Sequence, residues 1–188
     1  MRSAAIDEAF RRMDRRDFLP EHQRRWAGAD HPLPLGHGQT CSQPTTVADM
    51  LELLEVAPGQ RVLDVGAGSG WTTALLAHLV GPTGSVVGVE LVPELAASGA
   101  ANVAATDQPW AVVHRAQPGV LGWPDAAPYD RILVSAEARE LPDALVAQLV
   151  PGGVLVVPVR GRMLRVRLGT DGSADVREHG RYAFVPLR

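Results

Sequence analysis

Three glycines, Gly66, Gly68 and Gly70, stand between an apolar strand pattern, Arg61 to Val65, and an apolar helix pattern, Trp71 to Val80, in the run VLDVGAGSGWTTALLA over residues 62–77. Glycine tolerates positive φ and lets backbone approach a ligand closely, while the helix that follows opens with unpaired N–H groups. The alternation continues downstream. Ser85 to Glu90 reads as a strand, Pro93 to Ala104 as an alanine-rich helix, and Trp110 to His114 and Asp130 to Ser135 as strands. Pro142 to Val150 reads as a helix, and Val154 to Val159 as a strand whose unbroken apolar run implies burial on both faces. Such alternation predicts an α/β fold with a mainly parallel central sheet and helices on both faces. Arg162 to Leu168 alternates and Tyr182 to Leu187 is strand-like, so antiparallel strands are expected to finish the sheet.

Upstream, Ile6, Phe10 and Met13 fall at helical spacing with Pro20 just beyond, and a second helix should run from Pro44 through Val47, Met50, Leu51 and Leu54 to about Pro58-Gly59. Between them, His31 to Gln43 has prolines and glycines without periodicity and reads as a loop of the kind that carries function. Arg11, Arg12, Arg15, Arg16, Arg24 and Arg25 interleave with Asp7, Glu8, Asp14, Asp17 and Glu21, which suits a solvated face better than a binding patch. At 188 residues the chain should be one domain, with 1–60 forming N-terminal helices and a covering loop and 61–188 the ligand-binding core.

Composition removes whole classes of chemistry. All 18 basic residues are arginine, so Schiff-base lysine chemistry and a Walker-type phosphate lysine are excluded. A net charge of -3 argues against holding nucleic acid by bulk electrostatics. The single cysteine, Cys41, allows neither an internal disulfide nor a multi-cysteine metal site. No apolar run is long enough to span a bilayer and the N-terminus is no signal peptide, so a cytoplasmic protein without membrane contact is expected.

The charge around the glycines selects the ligand. The spacing is G-x-G-x-G rather than the dinucleotide G-x-G-x-x-G, and Asp64 precedes the first glycine by two residues. A carboxylate there would repel a pyrophosphate, yet it suits a ligand with an ammonium and a sulfonium, such as S-adenosylmethionine. Glu90 ends the next strand, where an acidic side chain can accept hydrogen bonds from two ribose hydroxyls. The structural alternative is a plain strand-turn-helix connection in which Asp64 caps the helix.

RRDFLP (15–20), GHGQTCSQP (36–44), VLDVGAGSGWTTALLA, GWPDAAPYDRILVSA (122–136), the LP...LVAQLVPGGVLVVPV stretch (141–159) and FVPL (184–187) together resemble the protein-L-isoaspartate O-methyltransferase family almost end to end. That resemblance implies a Rossmann-like class I methyltransferase fold and methylation of the α-carboxylate of isoaspartyl residues in damaged proteins. S-adenosylmethionine would be the donor and S-adenosylhomocysteine the product. Ser42 takes the place of the family's active-site serine; its alternative role is to cap the helix at Pro44. Thr40 and Cys41, with Gln43, would face cofactor or substrate. Asp64, Gly66, Ala67, Gly68, Ser69, Gly70, Glu90, Leu91, Gln117 and Gly119 would complete the cofactor site. His37 could reach a substrate carboxylate, although a lone loop histidine is more often solvated.

A carboxylate is already ionised at neutral pH, so the chemistry needs alignment and water exclusion rather than a general base. Loop 31–43 would be the lid. Isoaspartyl proteins or peptides are the expected partners of a monomeric enzyme. The rival readings are an aspartyl O-methyltransferase that drives aspartimide formation in one dedicated peptide, and a non-catalytic relative that only binds the cofactor. The chain departs from the family in having Gln117-Pro118-Gly119 where G-D-G is usual, its Asp reaching the adenine amino group. Cys41 replaces a branched apolar residue, Arg160 a glycine, and Glu137 and Arg139 stand in a stretch that is usually small and apolar.

Overall fold

The computed structural model describes residues 3–188. The Ser3 hydroxyl accepts from the Ile6 N–H and caps α1 (Ala4–Arg12), which buries Ile6 and Ala9. Two 3-10 turns, Arg15–Phe18 and Glu21–Trp26, follow. The expected loop at 31–43 is instead largely an antiparallel hairpin, β1 (Leu33–Gly36) and β2 (Gln39–Cys41). Its prolines mask an alternation that buries Leu33 and Leu35 on one strand, opposite the buried Cys41. Gly36, His37 and Gly38 all take positive φ to turn the chain. Helix α2 (Pro44–Leu54) buries the predicted apolar residues but stops at Glu55, which is left-handed, rather than at Pro58-Gly59.

Seven strands form the main sheet: β3 (Arg61–Val65), β4 (Ser85–Glu90), β5 (Ala111–Arg115), β6 (Tyr129–Val134), β7 (Leu149–Val159), β8 (Arg162–Leu168) and β9 (Ala174–Arg181). Their order is β5-β4-β3-β6-β7-β8-β9, parallel from β5 to β7 and antiparallel beyond. The chain leaves β3 toward one edge through β4 and β5, then returns to β3's other side as β6. That switch point is where an open α/β sheet leaves a crevice, and the glycine loop sits on it.

Residues alternate between two cores across the sheet. Val62, Leu133, Val154 and Val156 face α2, α3 (Trp71–Val80) and α4 (Pro93–Ala104), whereas Leu63, Ile132, Leu155 and Val157 face the opposite core. That second face is covered by the short α5 (Asp143–Val146) and irregular chain around Leu121, Trp123 and Leu187. Two expectations change here. The helix expected at 142–150 is only α5, because Gln148 turns inward to donate to Leu121 and Ala144 carbonyls and Leu149 pairs with Tyr129. The last strand is 174–181 rather than 182–187, since β8 already pairs with it through Arg181. Segment 182–187 crosses instead to the end of β6, where Glu137 N–H donates to Val185 at 2.7 Å and Leu187 N–H donates back at 2.8 Å.

Candidate functional site

The glycine loop is built by close approach. Gly66, Gly68 and Gly70 hold φ of 83°, 54° and 85°, and the Gly66 and Ala67 N–H groups share the Val89 carbonyl at 2.9 and 3.0 Å. A Cβ on Gly70 would lie 2.8 Å from the Gly99 carbonyl, and one on Gly99 would lie 2.7 Å from the Gly68 carbonyl. The loop and α4 therefore touch backbone to backbone. Asn102 of α4 donates to the Ser69 carbonyl at 2.9 Å, and Ser69 is buried.

Two carboxyls lie at the base. Glu90 accepts from Gly68 N–H through one oxygen and from Val92 N–H through the other, both at 2.9 Å. Each oxygen keeps a lone pair for a further donor, such as a ribose hydroxyl. Asp64 is fully buried on the α3 side of β3 rather than exposed in the cleft, and accepts from the Thr73 hydroxyl at 2.7 Å. Gly88 makes that bond possible, because a Cβ there would lie 2.7 Å from Thr73 Oγ1. The other Asp64 oxygen has no partner among the described residues. Burial, opposed by Thr73 and reinforced by Glu90, pushes this carboxyl up to about 7. An orphaned acidic oxygen beneath a loop of positive-φ glycines fits a cationic ligand, which agrees with the charge argument for S-adenosylmethionine.

Opposite the loop, the hairpin brings Thr40, Cys41 and Ser42 into a narrow cleft with Gly66, Ala67, Gly68 and Ser69. Leu35, Trp71, Thr72 and Ser135 also line it, and none of these four was singled out from the sequence. Ser135 follows β6 and donates its N–H to Val65 at 2.8 Å, so β6 and β3 place it mechanically. Ser42 does not cap α2. The N-cap is Gln43, and Asp30 serves in its stead, accepting from Thr45 N–H at 2.9 Å and Thr45 Oγ1 at 2.8 Å. These bonds hold the Asp30 carboxyl below its usual range. Cys41 is buried and its thiol is raised, chiefly by desolvation, which suits a packing role. His37 sits exposed at the hairpin tip.

The remaining expected residues lie outside the narrow cleft. Leu91 is exposed just past Glu90, at the carboxyl end of β4. Gln117, Pro118 and Gly119 form a turn after β5, closed by Val120 N–H to the Gln117 carbonyl at 3.1 Å, with Gly119 at φ 78°. Proline then glycine at the central positions is what a type II turn prefers, which accounts locally for Pro118. Glu137 is structural, accepting from Gly161 N–H at 2.9 Å, and Arg160 reaches the Arg139 carbonyl at 2.6 Å. One expectation fails outright: Arg15 is not solvated but 4% exposed, behind the hairpin. A long side chain in an acidic-basic run gives no signal that it turns inward.

A family model described as protein-L-isoaspartate(D-aspartate) O-methyltransferase matches residues 1–188. A protein-L-isoaspartate O-methyltransferase of Methanopyrus kandleri is 46% identical over 191 residues, covering 100% of this chain and 84% of that one. One from Anaeromyxobacter dehalogenans is 47% identical over 193 residues, covering 100% and 90%. Among solved structures, a protein-L-isoaspartate O-methyltransferase superposes with a TM-score of 0.89 at 26% identity, covering 100% of this chain and 62% of that one. A Plasmodium falciparum chain assigned to the same activity, in complex with S-adenosyl-L-homocysteine, gives a TM-score of 0.85 at 24% identity, covering 100% and 92%.

Proposed function

The chain belongs to the protein-L-isoaspartate(D-aspartate) O-methyltransferase family and is an S-adenosylmethionine-dependent methyltransferase acting on isoaspartyl carboxylates, and we propose how its residues divide that work. The glycine loop, with Ala67 and Ser69, bears the amino-acid end of the cofactor, Asp64 lying beneath its cationic groups. Glu90 takes the ribose hydroxyls, and Leu91 with the Gln117–Gly119 turn borders the adenine. The cofactor supplies a methyl group on a positive sulfur. Thr40, Cys41 and Ser42 close the opposite wall, and Ser42 donates its hydroxyl to the substrate carboxylate.

The observation that carries this division is the meeting of Ser42 with Gly66–Ser69 across one narrow cleft. Nothing there needs to remove a proton. The acceptor oxygen is anionic already, so the walls have only to strip its water and hold it about 3 Å from the methyl carbon. Segment 1–60 then acts as the cover and 61–188 as the cofactor-binding core. We take the working form to be a monomer. A net charge of -3 supports protein rather than nucleic-acid substrates, and one buried thiol is compatible with a cytoplasmic setting. Among the described residues no helix is long and apolar enough to cross a membrane.

Methyl incorporation into an isoaspartyl peptide and its aspartyl twin tests the reading. The isoaspartyl form should be preferred; equal or reversed preference would overturn the substrate assignment. Ser42→Ala should retain S-adenosylhomocysteine binding by calorimetry and lose turnover, and an unchanged rate would remove Ser42 from the site.

A further inference from the structure

We propose that Arg15 is a positioning residue for methyl transfer, a buried guanidinium that locks the backbone on both sides of Ser42 and so aims its hydroxyl. The inference rests on the placing of Ser42 beside the carboxylate. Arg15 opens the first 3-10 turn and points under the hairpin, with its Nη2 donating to the Cys41 and Ser42 carbonyls at 2.8 Å each and to His31 at 3.0 Å. Its Nη1 donates to the Ala29 carbonyl at 3.0 Å, and its Nε lies 3.5 Å from Cys41 Sγ. All these acceptors are neutral, so the hydrogen bonds fix geometry without cancelling the charge. The guanidinium also lies 5.4 Å from the centre of the Trp71 ring, and Trp71 is part of the cleft wall.

This arrangement matters because no side-chain hydrogen bond holds the Ser42 hydroxyl among the described residues, so what places it is the backbone, which fixes the Cα–Cβ direction and the staggered rotamers open to the hydroxyl. Two clamps define that backbone. Arg15 donates to the carbonyls of residues 41 and 42, and Asp30 accepts from the Thr45 N–H and from the Gln43 side-chain amide. Of the two, only Arg15 also reaches toward the glycine side of the cleft, through Trp71. A planar fork with five donors can reach this set of carbonyls, one Nη2 hydrogen being shared between two of them, whereas an ammonium with three donors cannot.

Arg15→Lys keeps the charge and removes the fork; Arg15→Ala removes both. For Arg15→Lys we expect kcat to fall on the order of 100-fold, the scale of a small misplacement in an aligned site, with S-adenosylhomocysteine affinity within about threefold of the parent. In Arg15→Ala, added methylguanidinium should restore kcat by about tenfold or more while methylammonium does not, a selectivity that merely lost stability would not produce. Thermal melts establish that each variant is folded at the assay temperature, and Arg15→Lys is the fallback if the alanine variant unfolds. A folded Arg15→Lys enzyme within about threefold of parental kcat overturns the proposal, as does a loss of S-adenosylhomocysteine affinity in step with kcat. Ser42→Ala run alongside separates the causes: slow Ser42→Ala with fast Arg15→Lys sinks the Arg15 role alone, whereas parental rates in both sink the reading of the site.

Discussion

Replacing Asp64 by Asn isolates what the buried acid costs the free enzyme. In the folded protein this carboxyl titrates at about 7, against 3.8 for its ordinary value. The native state thus holds a proton that the unfolded chain has released, so stability falls as pH rises between those values and levels off above the higher one. The slope in that window is about 1.36 kcal/mol per pH unit, which between pH 4.5 and pH 8 accumulates to roughly 3 kcal/mol. Asn keeps an acceptor for the Thr73 hydroxyl and cannot ionise. Its amide lacks a partner where the second Asp64 oxygen now stands, at a cost of about 1–3 kcal/mol that does not vary with pH. Relative to the parent, Asp64→Asn should therefore gain roughly 3 kcal/mol from pH 4.5 to pH 8, or about 6–12 °C in Tm for a chain of this size. Melts of both ligand-free proteins followed by circular dichroism across that range provide the assay. A Tm difference that stays constant with pH would show that Asp64 is ionised throughout and would remove the buried-acid argument. The same reasoning requires the S-adenosylmethionine affinity of the parent to rise relative to that of the Asn variant between pH 6 and pH 8, the ligand's own ammonium titrating at about 8 in both cases.

Two further substitutions probe the rest of the proposed cofactor site. Gly99→Ala puts a methyl 2.7 Å from the Gly68 carbonyl, so α4 or the loop must move. We expect a loss of about 1–3 kcal/mol in stability and weaker S-adenosylhomocysteine binding by calorimetry, whereas parental affinity would mean that the loop yields without consequence. Pro118→Asp restores the residue that the family resemblance places against the adenine amino group. It should tighten cofactor binding by about tenfold, the effect of one good hydrogen bond, with kcat little changed. No gain would indicate that the turn at Gln117–Gly119 holds adenine in another way.

The parts of this molecule that could be read from sequence are those whose causes are local. The boundaries of β3, α3, β4 and α4 follow directly from apolar periodicity broken by Gly66–Gly70 and Pro93. The positions of Glu90 at the end of β4 and of Ser42 just before α2 follow in the same way, because the motif fixes them relative to a strand end and a proline. What escaped notice depends on partners far away in the chain. Arg15 looks like one arginine of a solvated run until carbonyls from residues 27–42 fold over it. Asp30 serves α2 across a gap of 15 residues. The exposed strand β9 carries no apolar alternation, since its pairing with β8 alone makes it a strand. Asp64 stands out in the motif as an acid next to the glycines, but its retreat beneath the loop depends on Gly88 leaving room for Thr73, a contact between two strands and a helix.

The charges of the proposed site lie one layer back from the reacting atoms, and the reaction explains why. An anionic oxygen and a cationic sulfur both lose charge as the methyl moves, so groups that grip those charges tightly would stabilise the reactants more than the transition state. Asp64 sits under the loop, satisfied on one oxygen by Thr73 and protonated over much of the acid range, while Glu90 is tied to the Gly68 and Val92 N–H groups. Arg15 addresses carbonyls behind Ser42 instead of reaching into the cleft. Such screened charges attract and orient an ion pair of opposite polarity while leaving its neutralisation cheap. A direct carboxylate on the sulfonium, or an exposed arginine on the substrate acid, would improve binding at the expense of rate. The neutral hydroxyl of Ser42 is the strongest contact the arrangement can bring to the acceptor without incurring that penalty.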